Sequence, residues 1–234
     1  MGPSLPFVLV HGIRLNRAAW TEVVEHLPAR WPAAPVDLPG HGARRGQRFS
    51  FEAAGDVLRD EIDRLGGRAV VVGHSLGGYA AMAFAAREPD RVAGLLVAGA
   101  TGVPTPAATA PFLVAHRVLS GRADGGERAS ARVLSAVLPR RTAAEVARVG
   151  IASEVIPDVV AALRASRPLE HLAAYPGPVR FVNGRFDHLR ADERRFLGAA
   201  SRGSLVVAPR AGHYLPMTRP RTFARELEAF ASAV

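Results

Sequence analysis

The chain contains no cysteine and no lysine among its 234 residues. The absence of cysteine excludes disulfide bonds and metal sites built from thiolates. No apolar run approaches the ~20 residues that a membrane-spanning helix needs. The first residues carry neither a basic stretch nor a long apolar segment, so we expect no secretory signal, no membrane partner and a cytoplasmic location.

All 30 basic residues are arginine, and the formal net charge is +9. A surplus of positive charge suits an acidic partner such as a carrier protein, coenzyme A or nucleic acid. However, the arginines are spread along the whole chain, and alanine and proline are also abundant. This distribution favours the compositional bias of a GC-rich genome over a binding patch. We expect no nucleic-acid partner, because the sequence has no nucleic-acid-binding motif and no set of stacking aromatics.

Short apolar runs alternate with helical patterns along most of the chain. This alternation predicts an α/β fold, with a mostly parallel six-stranded sheet and helices on both of its faces. The predicted strands span residues 7–11, 34–37, 69–73, 92–98, 179–183 and 204–208. The predicted helices of this core span residues 18–27, 51–65, 77–88, 192–200 and 220–231.

Residues 102–176 interrupt the alternation, because they are helical in pattern nearly throughout. Helices are predicted at 106–120, at 128–138, from a capping box that begins at Thr142, and at 157–166. An all-helical insert between parallel strands is typical of a lid over the carboxyl ends of the strands, where ligands bind.

We therefore expect a core made of residues 1–101 and 177–234 and a helical lid made of residues 102–176. Apolar side chains of the lid either line a pocket or pack the lid onto the core; they are Phe112, Leu113, Val114, Leu119, Leu134, Val137 and Leu138.

The sequence Gly-His-Ser-Leu-Gly at 73–77 lies between the apolar run 69–72 and a helical pattern. Strand, sharp turn and helix place Ser75 at the apex of the turn, where a strained backbone needs glycine on both sides. Such a turn exposes the hydroxyl beside the free N–H groups that begin a helix. An ordinary glycine-serine turn does not require this strand and helix. The pattern therefore predicts that Ser75 is a nucleophile.

A serine nucleophile needs a base that takes its proton and a carboxylate that orients the base. His213 follows the last predicted strand and Asp187 follows the preceding one, so both lie on loops at the carboxyl edge of the sheet. Asp192 is the rival acid, but it stands where a helix begins and where an acid satisfies free N–H groups. We therefore expect a catalytic triad of Ser75, Asp187 and His213.

The residues His11, Gly12 and Ile13 follow the first strand and open a loop. A backbone N–H of Ile13 in this loop would complement that of Leu76, which follows the nucleophile. Two donors that point at one oxygen make an oxyanion hole. On its own, a His-Gly pair after a strand indicates only a turn. The predicted triad is what supports an oxyanion hole at this loop.

Together these motifs resemble the α/β-hydrolase family over nearly the whole chain. They are the His-Gly loop with Trp20 downstream, the turn at 37–42 (Asp-Leu-Pro-Gly-His-Gly), the Ser75 elbow, the Gly-Arg-Phe-Asp loop at 184–187 and the Gly-His pair at 212–213. The resemblance implies the same triad, the same two oxyanion amides, and supporting roles for Trp20 and the 37–42 turn.

The family sheet usually begins with two strands ahead of the His-Gly strand, and here only six residues precede Phe7. A six-stranded sheet resembles the compact plant methylesterase and hydroxynitrile lyase branch of the family. The His-Gly loop with its downstream Trp20 looks more like bacterial carboxylesterases such as the pimeloyl-carrier methyl ester esterases. These two resemblances leave the subfamily open.

The resemblance implies hydrolysis of a carboxylic ester or thioester through an acyl-enzyme on Ser75, without a metal or an organic cofactor. The expected substrate is a small acyl compound, either free or carried on coenzyme A or an acyl carrier protein. Serine at the elbow argues against epoxide hydrolases and dehalogenases, which use aspartate there. The lack of lysine argues against a hydroxynitrile lyase.

Other activities of the family use the same triad and stay open: carbon–carbon bond hydrolases, cofactor-free peroxidases, lactonases, and small-molecule receptors that retain a hydrolase site. The expected substrate contacts are Arg14, Trp20, His116 and His188, with Asn16 and Arg190 beside the catalytic loops.

Overall fold

The computed structural model describes residues 4–234, in which six parallel strands form a sheet. The strands are β1 (Phe7–Val10), β2 (Ala33–Val36), β3 (Ala69–His74), β4 (Val92–Ala98), β5 (Pro178–Gly184) and β6 (Arg202–Ala208). Their observed ends differ from the predicted ones by at most two residues, and the predicted α/β fold is confirmed. Residues 1–3 of the expected core lie outside the described residues.

The strand order across the sheet is β2-β1-β3-β4-β5-β6. β1 therefore pairs with β2 on one side and with β3 on the other. Ligands of such sheets bind at the carboxyl edge where the order reverses. The segments that follow β1 and β3 meet at this point, and they carry Ile13 and Ser75.

Eleven α-helices lie in residues 4–234. They are α1 (Thr21–Glu25), α2 (Phe51–Arg64), α3 (Leu76–Arg87), α4 (Pro106–Ser120), α5 (Glu127–Val137), α6 (Arg140–Val149), α7 (Ile156–Ala165), α8 (Pro168–Ala174), α9 (Glu193–Ala199), α10 (Leu215–Thr218) and α11 (Pro220–Ala231). None of the helices in this range combines the length and the apolar character needed to cross a membrane.

Helices cover both faces of the sheet, which explains the continuous apolar runs of its strands. Val71 points into a core cluster that includes residues of α2, α3 and α8. The next residue, Val72, points to the opposite face and packs in a cluster with Trp20 and Phe223 of α11. The alternation along β3 thus builds two cores from one strand.

Two helix predictions need correction, and two short helices are additional to those predicted. The helix expected over 18–27 is a 3-10 turn at Arg17–Trp20 followed by the short α1. The capping box expected at Thr142 is wrong, because α6 begins at Arg140 and the Thr142 hydroxyl instead donates to Glu22 Oε1 at 2.7 Å. The short helices α8 and α10 were not predicted.

Helices α4 to α8 form the insert between β4 and β5. α4 packs against α7, whereas α8 packs against α3 and α9 of the core. Leu134 and Leu138 join a small cluster with Leu15 and Met217 of the core. Val114 and Val137 are exposed instead. The division of the chain into a core and a lid over 102–176 stays a prediction.

Gly77 is the point where α3 comes closest to β1, because a Cβ there would lie 2.2 Å from the carbonyl oxygen of Val10. Gly77→Ala must push α3 away from β1, so we expect the free energy of unfolding to fall by about 2 kcal/mol or more. A Cβ on Gly198 of α9 meets no atom within 4 Å. Gly198→Ala should therefore raise the stability by about 0.5–1 kcal/mol. Urea denaturation measures both, and a Gly77→Ala protein as stable as the wild type would contradict the tight contact.

Candidate active site

Ser75 occupies the apex of the sharp turn between β3 and α3, with a φ of 53°. A non-glycine residue in this left-handed region is strained and is held there by its surroundings. The turn requires glycine beside the serine, since a Cβ on Gly73 would lie 2.3 Å from the carbonyl oxygen of Gly77. The Ser75 amide donates to the carbonyl oxygen of Ala98 at 2.9 Å, which fixes the turn to β4.

His213 and Asp187 form a hydrogen-bonded pair from two loops at the carboxyl edge. His213 Nδ1 lies 3.1 Å from each carboxylate oxygen of Asp187, and the Leu189 amide donates to Oδ1 at 2.8 Å. A Cβ on Gly99 would lie 2.8 Å from Asp187 Oδ2, so glycine makes room for the pair. Ser75 and His213 line the same small cavity, with His213 Nδ1 committed to Asp187.

Electrostatics favours an ionised Asp187. Burial raises the pKa of its carboxyl, but the hydrogen bond and the charge of His213 lower it, and the pKa lies below the ordinary value. The carboxylate therefore stabilises an imidazolium at His213. His74 is fully buried, and burial lowers its pKa to about 3. Its Nε2 donates to the His213 carbonyl oxygen at 3.0 Å, so a neutral His74 holds the His213 loop in place.

The loop after β1 lies directly against the elbow. A Cβ on Gly12 would lie 3.2 Å from Ser75 Cβ. Arg14 has a φ of 62°, and its amide donates to Nε2 of the buried His41 at 3.2 Å. Ile13 lies between these two fixed points. The geometry thus brings the predicted oxyanion loop to the nucleophile, and the assignment of its amides stays a prediction.

Two buried side chains support this loop from below. His11 Nε2 accepts the amide of Leu38 at 3.1 Å. The Asp37 carboxylate accepts the amides of Arg17 at 2.7 Å and of Ala43 at 3.0 Å. These contacts tie the segment after β1 to the turn after β2, which is the supporting arrangement expected for the 37–42 turn.

Two cavities meet at Ser75. The larger one has a volume of about 250 Å³ and is lined mainly by apolar side chains of the elbow, α4, α7 and the 188–192 loop, among them Ile13, Leu76, Phe112, Val160, Leu163 and Leu189. The smaller one has a volume of about 50 Å³, and its wall combines apolar residues such as Leu15 and Phe112 with the polar side chains of Arg14, His74, His188, His213 and Tyr214. An ester bond at Ser75 would therefore have a mainly apolar side and a side that also offers polar groups.

The expected substrate contacts divide into two pairs. Arg14 and His188 line the small cavity. Trp20 is fully buried in the core, and His116 Nδ1 lies 3.0 Å from the carbonyl oxygen of Ser153. In the part of the chain that the structure describes, neither of these two lines the two cavities at Ser75, and their contact with a substrate stays a prediction.

Other expected residues have structural partners. Asn16 is buried and donates to the carbonyl oxygens of Val146 and Gly150, which joins the oxyanion loop to α6. Asp192 stands before α9, but its carboxylate accepts the Val103 amide at 2.8 Å rather than capping that helix. Arg190 forms an ion pair with Glu193.

Sequence reasoning missed the cavity side chains of α7, which are Val160 and Leu163. Their spacing of three residues marks one face of a helix, but the same spacing is typical of core packing. Sequence reasoning also assigned no individual hydrogen-bonding role to His41 or His74. Nothing in their local sequence shows that these side chains are buried acceptors or donors.

Asp187, His188 and His213 are the group of possible metal ligands within residues 4–234, and their ligand atoms lie within 4.8 Å of one another. Two imidazoles and a carboxylate are a donor set that zinc accepts. Asp187 and His213 already direct these atoms at each other.

A parallel sheet with a strained serine after β3 and an Asp–His pair on later loops defines the class of α/β-hydrolase folds. The chain belongs to the alpha/beta hydrolase family, whose model matches residues 7–226. The family resemblance inferred from the motifs is confirmed.

Over 88 residues, 37% of this chain, the sequence is 46% identical to the pimeloyl-[acyl-carrier protein] methyl ester esterase of Neisseria meningitidis serogroup C. The matched segment makes up 33% of that relative, so the similarity spans a third of its length.

Two solved structures resemble the whole fold. A thermophilic esterase from Thermogutta terrifontis has a TM-score of 0.81 at 25% identity, over 100% of this chain and 91% of that one. The enol-lactonase from Burkholderia xenovorans LB400 has a TM-score of 0.80 at 21% identity, over 99% of this chain and 92% of that one. At this identity the lactonase shows a shared fold alone.

Buried, neutral His11 makes the stability of the fold depend on pH. Burial and the nearby His41 lower its pKa well below the ordinary value. The unfolded chain takes up the proton below about pH 6.5, whereas the folded chain does not. Stability is therefore complete above this pH and falls as the pH decreases, by at most about 1.4 kcal/mol per pH unit for this group.

His11→Gln keeps an acceptor for the Leu38 amide and does not titrate. We expect its free energy of unfolding to fall less than that of the wild type between about pH 7.5 and about pH 5.5. The exposed His26 offers a matched control, and His26→Gln should follow the wild-type profile. Parallel profiles for wild type and His11→Gln would refute the role of His11.

Proposed function

We propose that the protein hydrolyses carboxylic esters or thioesters through an acyl-enzyme on Ser75. The observation that carries this proposal is the 3.1 Å pair of His213 Nδ1 and Asp187 beside a serine held at a φ of 53°. His213 Nε2 takes the hydroxyl proton of Ser75, and Oγ attacks the acyl carbon. The imidazolium, stabilised by Asp187, then protonates the leaving alcohol or thiol. Water activated by the same imidazole releases the acid.

The amides of Ile13 and Leu76 bind the oxyanion of the tetrahedral intermediate in this mechanism. Support comes from their common position beside Ser75 in the wall of the larger cavity. Leu76 is the first residue of α3, so its N–H is free of helical partners. An oxyanion donor of this kind contributes on the order of 3 kcal/mol to stabilisation of the transition state.

The two similar proteins with "esterase" in their names support an ester as the substrate. Carbon–carbon bond hydrolysis and lactone hydrolysis are the alternatives, because they use the same triad. A receptor of a small molecule is the alternative from a different class, and it would show a single slow turnover rather than many.

The insert between β4 and β5 acts as a lid in this proposal. Its support is that α4 and α7 supply one wall of the larger cavity through Phe112, Val160 and Leu163. This cavity, of about 250 Å³, takes the apolar part of the ester.

An acyl carrier protein is the partner that the lid surface favours. Exposed positions of α4 and α5 carry the apolar side chains of Val114, Val118 and Val133 and the cationic side chains of Arg117 and Arg132. A surface of apolar and cationic side chains complements an acidic protein partner. The name of the Neisseria relative also mentions an acyl-carrier protein.

Replacement of the nucleophile tests the mechanism. Ser75→Ala should lower kcat on a 4-nitrophenyl ester by about 10⁴–10⁶-fold, because no other group can form the acyl-enzyme. A fluorophosphonate probe should label the wild-type protein and not the variant. Ser135→Ala, at an exposed position of α5, serves as the matched control and should keep full turnover and labelling. Wild-type turnover by Ser75→Ala would end this proposal.

Ionic strength tests the carrier. KM for an acyl group on an acidic carrier protein should rise several-fold between about 50 mM and about 500 mM NaCl, because salt screens charge pairs between exposed groups. KM for the same acyl group on a small alcohol should stay constant. The double variant Arg117→Glu, Arg132→Glu should raise KM for the carrier substrate alone. If KM for the carrier-bound substrate changes neither with the salt concentration nor in the double variant, an acidic carrier protein is excluded as the partner.

A further inference from the structure

Arg14 is a cation without a counter-charge in the small cavity beside Ser75. Neighbouring arginines are paired, as Arg17 is with Asp37 and Arg190 with Glu193. Within residues 4–234, Arg14 has no carboxylate at ion-pair distance, and its Nε atom is buried without a hydrogen-bond acceptor. A buried donor on a charged group is costly when it lacks an acceptor, so the arrangement indicates an acceptor that arrives with a ligand.

The backbone conformation of Arg14, which lines this cavity, is held by a neighbouring side chain. Its φ of 62° is strained for a non-glycine residue, and His41 Nε2 holds its amide at 3.2 Å. His41 is itself oriented by a hydrogen bond from Nδ1 to the carbonyl oxygen of Pro39 at 3.0 Å. Strained residues held by buried partners cluster at ligand sites. The direction of the Cα–Cβ bond of Arg14 is therefore set before any ligand binds.

The small cavity suits a compact anion. Its volume is about 50 Å³, and in the part of the chain that the structure describes no aspartate or glutamate lines it. Tyr214 also lies in its wall. Burial raises the pKa of the Tyr214 phenol, and the positive charge of Arg14 partly opposes this increase. A guanidinium and a phenol hydroxyl that line one cavity offer hydrogen-bond donors suited to a carboxylate.

We propose that Arg14 binds a carboxylate of the substrate in this cavity, next to the scissile ester. The substrate is then an ester or thioester with a carboxylate a few bonds from the acyl carbon on one side and an apolar group in the 250 Å³ cavity on the other. This inference rests on the proposed ester hydrolysis and narrows its substrate class. Arg14 acts on specificity, whereas Ser75 and His213 carry the bond changes.

Matched pairs of esters test the proposal. Each pair consists of a 4-nitrophenyl half ester of a dicarboxylic acid with three to six carbons and the neutral ester in which a methyl group replaces the carboxylate. For at least one length, kcat/KM of the wild type should favour the half ester by about 10-fold or more, since charge-assisted hydrogen bonds are roughly twice as strong as neutral ones. Arg14→Gln should abolish this preference, and Arg14→Lys should restore part of it. The exposed Arg194→Gln on α9 is the control and should keep the wild-type preference.

Binding to an inactive protein separates the two proposals. Calorimetry of Ser75→Ala with glutarate and with butyrate should show binding of the dicarboxylate alone, and the double variant Ser75→Ala, Arg14→Gln should lose it. Hydrolysis of neutral esters without any Arg14-dependent preference would overturn the inference and leave the esterase intact. Arg14-dependent glutarate binding with no ester turnover would support the anion site and overturn the esterase. Thermal melting of each variant confirms that it is folded.

Discussion

The contact between α3 and β1 is the constraint on which the site depends. Gly77 allows the first turn of α3 to approach the Val10 carbonyl oxygen so closely that a single methyl group has no room. The same approach brings the loop after β1 onto Ser75, with Gly12 against the serine Cβ. A serine in a left-handed conformation is stable here because β1, β4 and α3 surround it and leave no alternative path for the chain. The strain at Ser75 and the position of the loop after β1 thus have one cause.

Buried neutral histidines hold the loops around this contact. His11 and His41 each use Nε2 as an acceptor for a backbone amide, and His74 donates to the backbone of the His213 loop. Protonation of His11 or His41 at Nε2 would break the hydrogen bond that this atom accepts, and protonation of His74 would place a charge in a fully buried site. His213 differs, because a buried carboxylate faces it. His213 Nδ1 lies 3.1 Å and His188 Nδ1 lies 3.9 Å from Asp187 Oδ1, so these two imidazoles face a negative charge at close range.

The sequence allowed the sheet and the sharp turn at Ser75 to be predicted because both depend on local signals, whereas the roles of Ser75, Asp187 and His213 as a triad stay a prediction. Apolar runs of four to seven residues mark strands, and the glycines around Ser75 mark the elbow. The insert was less predictable, since an exposed valine such as Val114 and a buried leucine such as Leu134 look alike in a helical pattern. Trp20 follows a functional loop in sequence yet packs into the core, because the 3-10 turn at Arg17–Trp20 turns its ring inward. Cavity walls and side-chain pairing are tertiary properties that local sequence does not contain.

The arginines show why net charge alone is a poor guide to partners. A charge of +9 that is spread along the whole chain fits the compositional bias of a GC-rich genome better than a single binding patch. Many of these arginines form ion pairs with neighbouring carboxylates, as Arg17 does with Asp37. A paired arginine contributes little to the electrostatic potential that a distant partner would experience. The informative cations are those whose counter-charge is absent where a ligand would lie. Arg14 meets this criterion in the cavity beside Ser75, because its Nε atom is buried without an acceptor and no aspartate or glutamate of residues 4–234 lines that cavity.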